Sequence, residues 1–266
     1  MNEHQIQVVY TASRNLYPYL PVAYMTVLAH HADAKIWLLI EDDKLPYRTP
    51  PNVEVVNVSR QTLFPPDGPN SRSEFTYLAM IRSAFPILFN GKFSDIGVRG
   101  LPRVDKIISL DCDTVVCDSL RPIWDVDLTD KWFAAVPQYF DISRPFGKTH
   151  PYRNAGVVVM NLEQMRKDHV AERSIDLLNR QQYVFIDEEV LNLVNMAEGD
   201  SKCVDLPSRY NEHLEVTLSL RPAIVHYAGE KMVWQKDMDD VYRGHYLKPW
   251  LQFAQEEACR NAGIKF

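Results

Sequence analysis

The sequence predicts an α/β protein with a mostly parallel sheet covered by helices on both faces. Three observations carry that expectation. Short apolar runs alternate with helical patterns along most of the chain. The runs KIWLLI, DKIISL and GVVVMN are almost continuously apolar, as in strands buried on both faces, and do not alternate as in a half-exposed sheet. The 266 residues, 46% hydrophobic and 24% charged, supply enough material for one large core and exclude a disordered, collagen-like or coiled-coil chain.

The elements follow in order. Residues 6–11 (IQVVYT) read as the first strand. A helix is expected over 16–31, with Pro18 and Pro21 confined to its first turn. Residues 35–40 and 53–58 read as strands. Residues 60–72 contain Pro65, Pro66, Gly68 and Pro69 and read as a loop. A helix is expected over 73–89, then a buried strand over 105–110, and further strands over 132–136 and 156–161. Between the last two lies YFDISRPFGKTHPYR (139–153), long for a connection and rich in aromatic and basic groups, as functional loops are. Helices are expected over 162–180, 187–197 and 248–262, with a short strand at 223–226.

Charge and cysteine usage narrow the function classes. Lys+Arg 29 against Asp+Glu 35 gives a net charge of −6 with no basic run, so nucleic acid is not an expected partner. Cys112, Cys117, Cys203 and Cys259 show no CxxC or Cys/His ligand spacing, so structural zinc is not expected and a reducing, cytoplasmic setting is. The opening MNEHQIQVVY lacks a basic n-region and an apolar h-region, and no run of apolar residues is long enough for a spanning helix. The last helix carries Trp250 and Phe253 and is expected to pack on the core, with peripheral membrane contact as the alternative.

Four places carry chemistry. Asp111-Cys112-Asp113 directly follows the strand KIISL, at the sheet edge where open α/β folds bind ligands. In extended chain the two acids point to one side, and paired carboxylates suit Mg²⁺ or Mn²⁺ better than zinc. The alternative is a solvated strand-end turn. Arg82 falls on the apolar stripe Phe75, Leu78, Ala79, Phe85 and Phe89, where it either meets an anion or snorkels at the stripe's edge. His226 ends the strand AIVH and either completes a metal site with the two acids or is structural. Asp187-Glu188-Glu189 opens a helical run, where acids cap the helix or face a cleft.

Taken together these pieces resemble glycosyltransferase family 8, the retaining transferases that include glycogenin and bacterial lipopolysaccharide galactosyl- and glucosyltransferases. LDCDTVVCDSLRPIWDVDL (110–128) is similar to that family's metal motif, YRNAGVVVMNLEQMR (152–166) to its FNAG segment and DEEVLN (187–192) to its DQDxLN. LPSRYN (206–211), HYAGEKMVW (226–234) and the initial VVYTASRN (8–15) match further blocks, in order along nearly the whole chain. The resemblance implies a single GT-A domain with a Rossmann-like sheet over 1–247, the helix 248–266 packing on or beside it, a UDP-sugar donor and Mn²⁺, with Mg²⁺ as the alternative cation. It implies Asp111, Asp113 and His226 as metal ligands, and Asp187 and Glu188 as catalytic residues. Thr11, Asn15, Arg82, Cys112, Asn154, Gly229 and Lys231 become donor-binding residues by the same resemblance, and 139–153 the acceptor side for a glycan or glycoconjugate.

The chain departs from the family at identifiable places. Ser13 and Arg14 stand where acids usually follow the first strand. Met232 and Val233 replace the Lys-Pro of the last block, with Lys231 one place early. Glu188 replaces the glutamine of DQD, and Gln138 replaces an acid before the long loop. The residues also fit two other readings. A haloacid-dehalogenase-like Mg-dependent phosphatase shares D-x-D-x-[TV] after a strand, but places it on its first strand. A sugar-nucleotide-binding protein without turnover would fit the departures.

Overall fold

The computed structural model describes residues 4–17, 19–71, 77–92, 96–138, 151–213 and 221–228. Strand β1 (Gln7–Ala12) leads through a 3₁₀ turn (Arg14–Leu16) into helix α1 (Leu20–His30), followed by β2 (Lys35–Ile40) and β3 (Val53–Asn57). After the proline-rich loop come α2 (Tyr77–Ile81), a 3₁₀ turn (Arg82–Ala84) and α3 (Phe85–Leu88). Next are β4 (Lys106–Leu110), β5 (Thr114–Val116), α4 (Arg121–Trp124), β6 (Phe133–Gln138) and β7 (Tyr152–Asn161). The series continues with α5 (Leu162–Lys167), α6 (Val170–Arg180), α7 (Ile186–Ala197), β8 (Cys203–Asp205), β9 (Glu212–His213) and β10 (Ile224–His226).

The main sheet has the order β3-β2-β1-β4-β7-β6-β8. Its pairs are parallel except the two made by β7, which runs against both β4 and β6. A small second sheet, β5-β10-β9, stands beside it. Period-two alternation sorts the strand residues into two cores and explains the continuous apolar runs. Val9, Trp37, Leu39 and Val56 face Phe85, Phe89 and the helices α5 to α7. Val8, Tyr10, Ile36, Leu38 and Ile40 face α1 and the small sheet.

The fold departs from the sequence expectations in several places, among them an unannounced α4 and a first helix that starts at Leu20 and not at Leu16. The helix expected over 162–180 breaks at His169, which takes a left-handed φ of 55°. There the Asp168 carboxylate accepts the Trp132 indole N–H at 2.6 Å and the Gln164 amide at 3.0 Å, which holds the chain out of helical register. The run around Arg82 tightens into a 3₁₀ turn instead of continuing as α-helix. β7 begins at Tyr152, ahead of the expected start at Gly156. Finally, β5, β8 and β9 are short strands with no run long enough to announce them. The helix expected over 248–262 and the proposed boundary at 247 lie outside the described residues. Among the described residues no helix is long and apolar enough to cross a membrane.

Candidate active site

The sheet order places β1 between β2 and β4, so the chain winds in opposite directions on the two sides of β1. At such a switch point the C-terminal ends of the strands leave a crevice that binds ligands. Asp111 stands there, its N–H continuing the β4 ladder onto the Gly156 carbonyl at 2.9 Å. The Asp111 carbonyl then accepts both the N–H (3.1 Å) and the hydroxyl (2.7 Å) of Thr114. That turn, and not extended chain, brings Asp113 back beside Asp111. β5 pairs antiparallel with β10, aligning Thr114 with His226, and the Tyr227 N–H donates to the Asp113 carbonyl at 3.0 Å. One ligand atom each of Asp111, Asp113 and His226 therefore lies within 4.8 Å of the others. His226 Nε2 is 3.3 Å from Asp113 Oδ1 and 3.7 Å from Asp111 Oδ2.

Neighbours fix the imidazole. His226 Nδ1 faces Asn211 Oδ1 at 2.9 Å. Asn211 is itself oriented, because its Nδ2 donates to Asn154 Oδ1 at 2.9 Å. Nδ1 is thus the protonated donor, and Nε2 is the atom turned to the carboxylates. Burial works against a charged ring, but Asp113 and Asp111 outweigh it and raise the His226 pKa. The ring lies flat on Gly156: a Cβ there would sit 2.1 Å from His226 Cε1. Glycine at 156 is therefore required by close approach.

Arg82 is 7% exposed and meets anions. Its guanidinium pairs with Asp111 Oδ1, donates to the Ala155 carbonyl, and lies 3.4 Å from Asp187 Oδ2. Burial opposes its charge, yet Asp111 and Asp187 raise its pKa, so it stays a cation. Asp187 is pushed up to about 7, chiefly by burial, against the pull of Arg82 and with further push from Asp111 and Glu188. Glu188 Oε2 accepts from Asn154 Nδ2 at 2.8 Å and from Ala155 N–H at 2.9 Å. Asn192 clamps α7 to β7, accepting the Arg153 N–H and donating to the Arg153 carbonyl, each at 2.9 Å.

Asp111, Asp113, His226, Arg82, Asn154, Asp187 and Glu188 thus form one contiguous cluster. Thr11 lies at its border, where its carbonyl accepts the buried Cys112 thiol at 3.1 Å. Burial and the two flanking acids keep that thiol protonated, so the Cys112 side chain braces β1 against β4. Asn15 sits in an exposed turn, accepting from the Ser13 hydroxyl. Arg14 turns to Asp42 at 2.8 Å while its N–H donates to Glu41 at 3.0 Å, so the acids near this edge come from the segment after β2. Gly229, Lys231 and most of 139–153 lie outside the described residues. Sequence reasoning gave no role to Asn211, Gly156 or Asn192. Each stood inside a motif already quoted, but its partner lies on another segment.

The model of the family described as "Glycosyl transferase family 8" matches residues 98–238, just over half of the chain. The chain belongs to glycosyl transferase family 8. The match spans β4 through His226, and membership sets aside the phosphatase reading. General stress protein A of Bacillus subtilis is 24% identical over 186 residues, 60% of this chain and 63% of that protein. Lipopolysaccharide 1,2-glucosyltransferase of Escherichia coli is 22% identical over 192 residues, 60% of this chain and 55% of that protein. The chain thus spans less than two thirds of the length of these relatives. Among solved structures, galactosyltransferase LgtC in complex with donor and acceptor sugar analogues superposes with a TM-score of 0.67 at 21% identity. That superposition covers 95% of this chain and 96% of LgtC. This family 8 chain therefore has the GT-A fold.

Proposed function

We propose that this protein is a metal-dependent retaining hexosyltransferase that moves glucose or galactose from a UDP-sugar to a glycan or glycoconjugate made in the cytoplasm. The observation that carries the reading is the convergence of Asp111, Asp113 and His226 beside Arg82 at the switch-point crevice. Two carboxylates and an oriented imidazole, with the nearby Cys112 thiol turned away and protonated, fit Mn²⁺ or Mg²⁺. When bound, such a cation supplies Lewis-acid stabilisation of the charge that develops on the departing diphosphate. Arg82 adds a fixed positive charge at the same place, preorganised by its bonds to Asp111 and the Ala155 carbonyl. Asp187 and Asn154 supply hydrogen-bonding groups for sugar hydroxyls. Glu188, oriented by Asn154 and Ala155, supplies negative charge toward an oxocarbenium-like state.

Donor turnover tests the reading. Wild-type protein is incubated with UDP-glucose or UDP-galactose and Mn²⁺, and UDP release and the anomeric configuration of the early product are followed by proton NMR. UDP release that depends on the cation, with retained α configuration, is expected. Tight UDP binding without turnover of any UDP-sugar would replace the transferase by a sugar-nucleotide-binding protein. Cation-independent turnover would remove the metal assignment.

A further inference from the structure

Ile186 adopts φ +43°, in the left-handed region, although it is β-branched. It is also fully buried, at 0% exposure. Such a backbone persists only where its surroundings over-determine it, and here it directly precedes Asp187 and Glu188. The bonds around it are specific. The Phe185 carbonyl accepts the N–H of Glu188 at 3.0 Å and that of Glu189 at 3.4 Å. In return, Glu189 Oε2 accepts the N–H of Val184 at 3.1 Å and of Phe185 at 3.4 Å. Glu189 thus turns its carboxylate back onto the incoming chain, while the two acids before it face Arg82 and β7.

Consecutive helical residues are rotated by about 100° around the axis. The three acids are therefore sorted by phase alone: Asp187 to Arg82, Glu188 to Asn154 and Ala155, Glu189 to the turn. A small error in the starting angle of α7 would swing all three. We propose that Ile186 and Glu189 are positioning residues, a strained turn and its brace, which together set the phase of α7 and so seat Glu188 and Asp187. The Glu189 carboxylate is spent on the backbone of Val184 and Phe185. The proposal rests on the transferase reading only for its kinetic readout.

A readout independent of turnover exists at Ala155. The β6·β7 pairing shifts between Ala135 and Pro137, whose partners are Val158 and Arg153. In that gap the Ala155 N–H is taken by Glu188 Oε2 instead of a β6 carbonyl. Its hydrogen exchange reports whether Glu188 is seated. The experiment compares Glu189→Ala, Glu189→Asp and Glu189→Gln by site-resolved exchange and by steady-state kinetics. Alanine removes the brace, aspartate shortens it, and glutamine keeps an acceptor oxygen.

Ala155 exchange is expected to accelerate roughly ten-fold or more in the alanine and aspartate variants and to stay near wild type in the glutamine variant. kcat should fall by up to about 10²-fold with donor KM changed by less than about three-fold, and glutamine should restore it. Wild-type Ala155 exchange in both weakened variants would overturn the proposal whether or not the wild type turns over a UDP-sugar. An alanine chain that fails to fold leaves the aspartate variant to decide. A second pair tests the turn itself. Ile186→Gly and Ile186→Ala lose nearly the same side chain, but alanine keeps the Cβ that a positive φ disfavours. The glycine variant is expected to melt several degrees above the alanine variant. The reverse order would overturn the strained-turn half of the proposal.

Discussion

Gly156→Ala offers a measurable test of the metal cluster, because the structure sets the size of the disturbance. An added Cβ would meet His226 Cε1 at 2.1 Å, Nδ1 at 2.4 Å and Nε2 at 2.8 Å. Ordinary contact begins near 3.4 Å, so the ring must recede by about 1.3 Å. The ring has little room, because Asn211 holds Nδ1 at 2.9 Å and Tyr227 ties β10 to the Asp113 carbonyl. Overpacking of this kind costs about 1–3 kcal/mol, a fall in Tm of roughly 2–6 °C for a chain of this size. Displacing an oriented ligand should also weaken Mn²⁺ binding about 10- to 100-fold. Calorimetric Mn²⁺ titration and thermal melts, each with and without the cation, measure both effects. The control is the same substitution on a His226→Ala background, where the clash is gone and the stability cost should shrink by about 1 kcal/mol or more. Unchanged Mn²⁺ affinity in Gly156→Ala, or an equal cost on both backgrounds, would refute the stacking argument.

Three further outcomes are expected. Arg82→Met should lower turnover by about 10²-fold or more and destabilise the protein by about 3–5 kcal/mol, since it strands Asp187 and Asp111. Burial already pushes Asp187 up to about 7, so protonation relieves it, and melts should show a smaller penalty at pH 5 than at pH 8. Glu188→Gln should keep part of the rate that Glu188→Ala loses, with donor KM little changed; wild-type rates in both would return Glu188 to a purely structural bond with Ala155. His31 accepts the Leu120 N–H at 2.8 Å through its unprotonated Nε2, and burial followed by Arg121 lowers its pKa. The unfolded chain then binds more protons, so this contribution is complete above about pH 6.5 and is lost as pH falls through the lower folded pKa. His31→Asn keeps an acceptor without a proton, and its melting temperature should fall less than that of wild type between pH 7 and pH 5.

Much of the fold was legible because burial on both faces leaves a local mark. The run at 35–40 became β2 residue for residue, since a parallel strand covered twice is apolar throughout, whereas β3 at the sheet edge was legible from its β-branched valines. The His169 break was illegible: no glycine or proline marks it, and the cause is a bond from Trp132, distant in sequence and just ahead of β6. The site divides the same way. Asp111 and Asp113 announced themselves by following an apolar strand. Whether Arg82 met an anion was undecidable in its own helix, because its partners lie 29 residues on at Asp111 and farther still at Asp187. Asn211 escaped notice because an asparagine between two other polar groups carries no pattern of its own, although it fixes the tautomer of His226.

The reversed strand β7 has a bearing on how such a protein diversifies. A strand parallel to its neighbours must be reached by a crossover, which carries the chain to the opposite edge and back. Because β7 runs the other way, β6 ends at Gln138 and β7 starts at Tyr152 on the one edge that also carries Asp111. The two strand ends that bracket residues 139–151 thus share one edge of the sheet. A change of length or sequence between these ends is therefore expected to leave the sheet register, and with it Arg82, Asp111 and His226, in place. In the transferase proposed above, with residues 139–153 as its acceptor side, acceptor preference would change between these two strand ends while the donor cluster is kept.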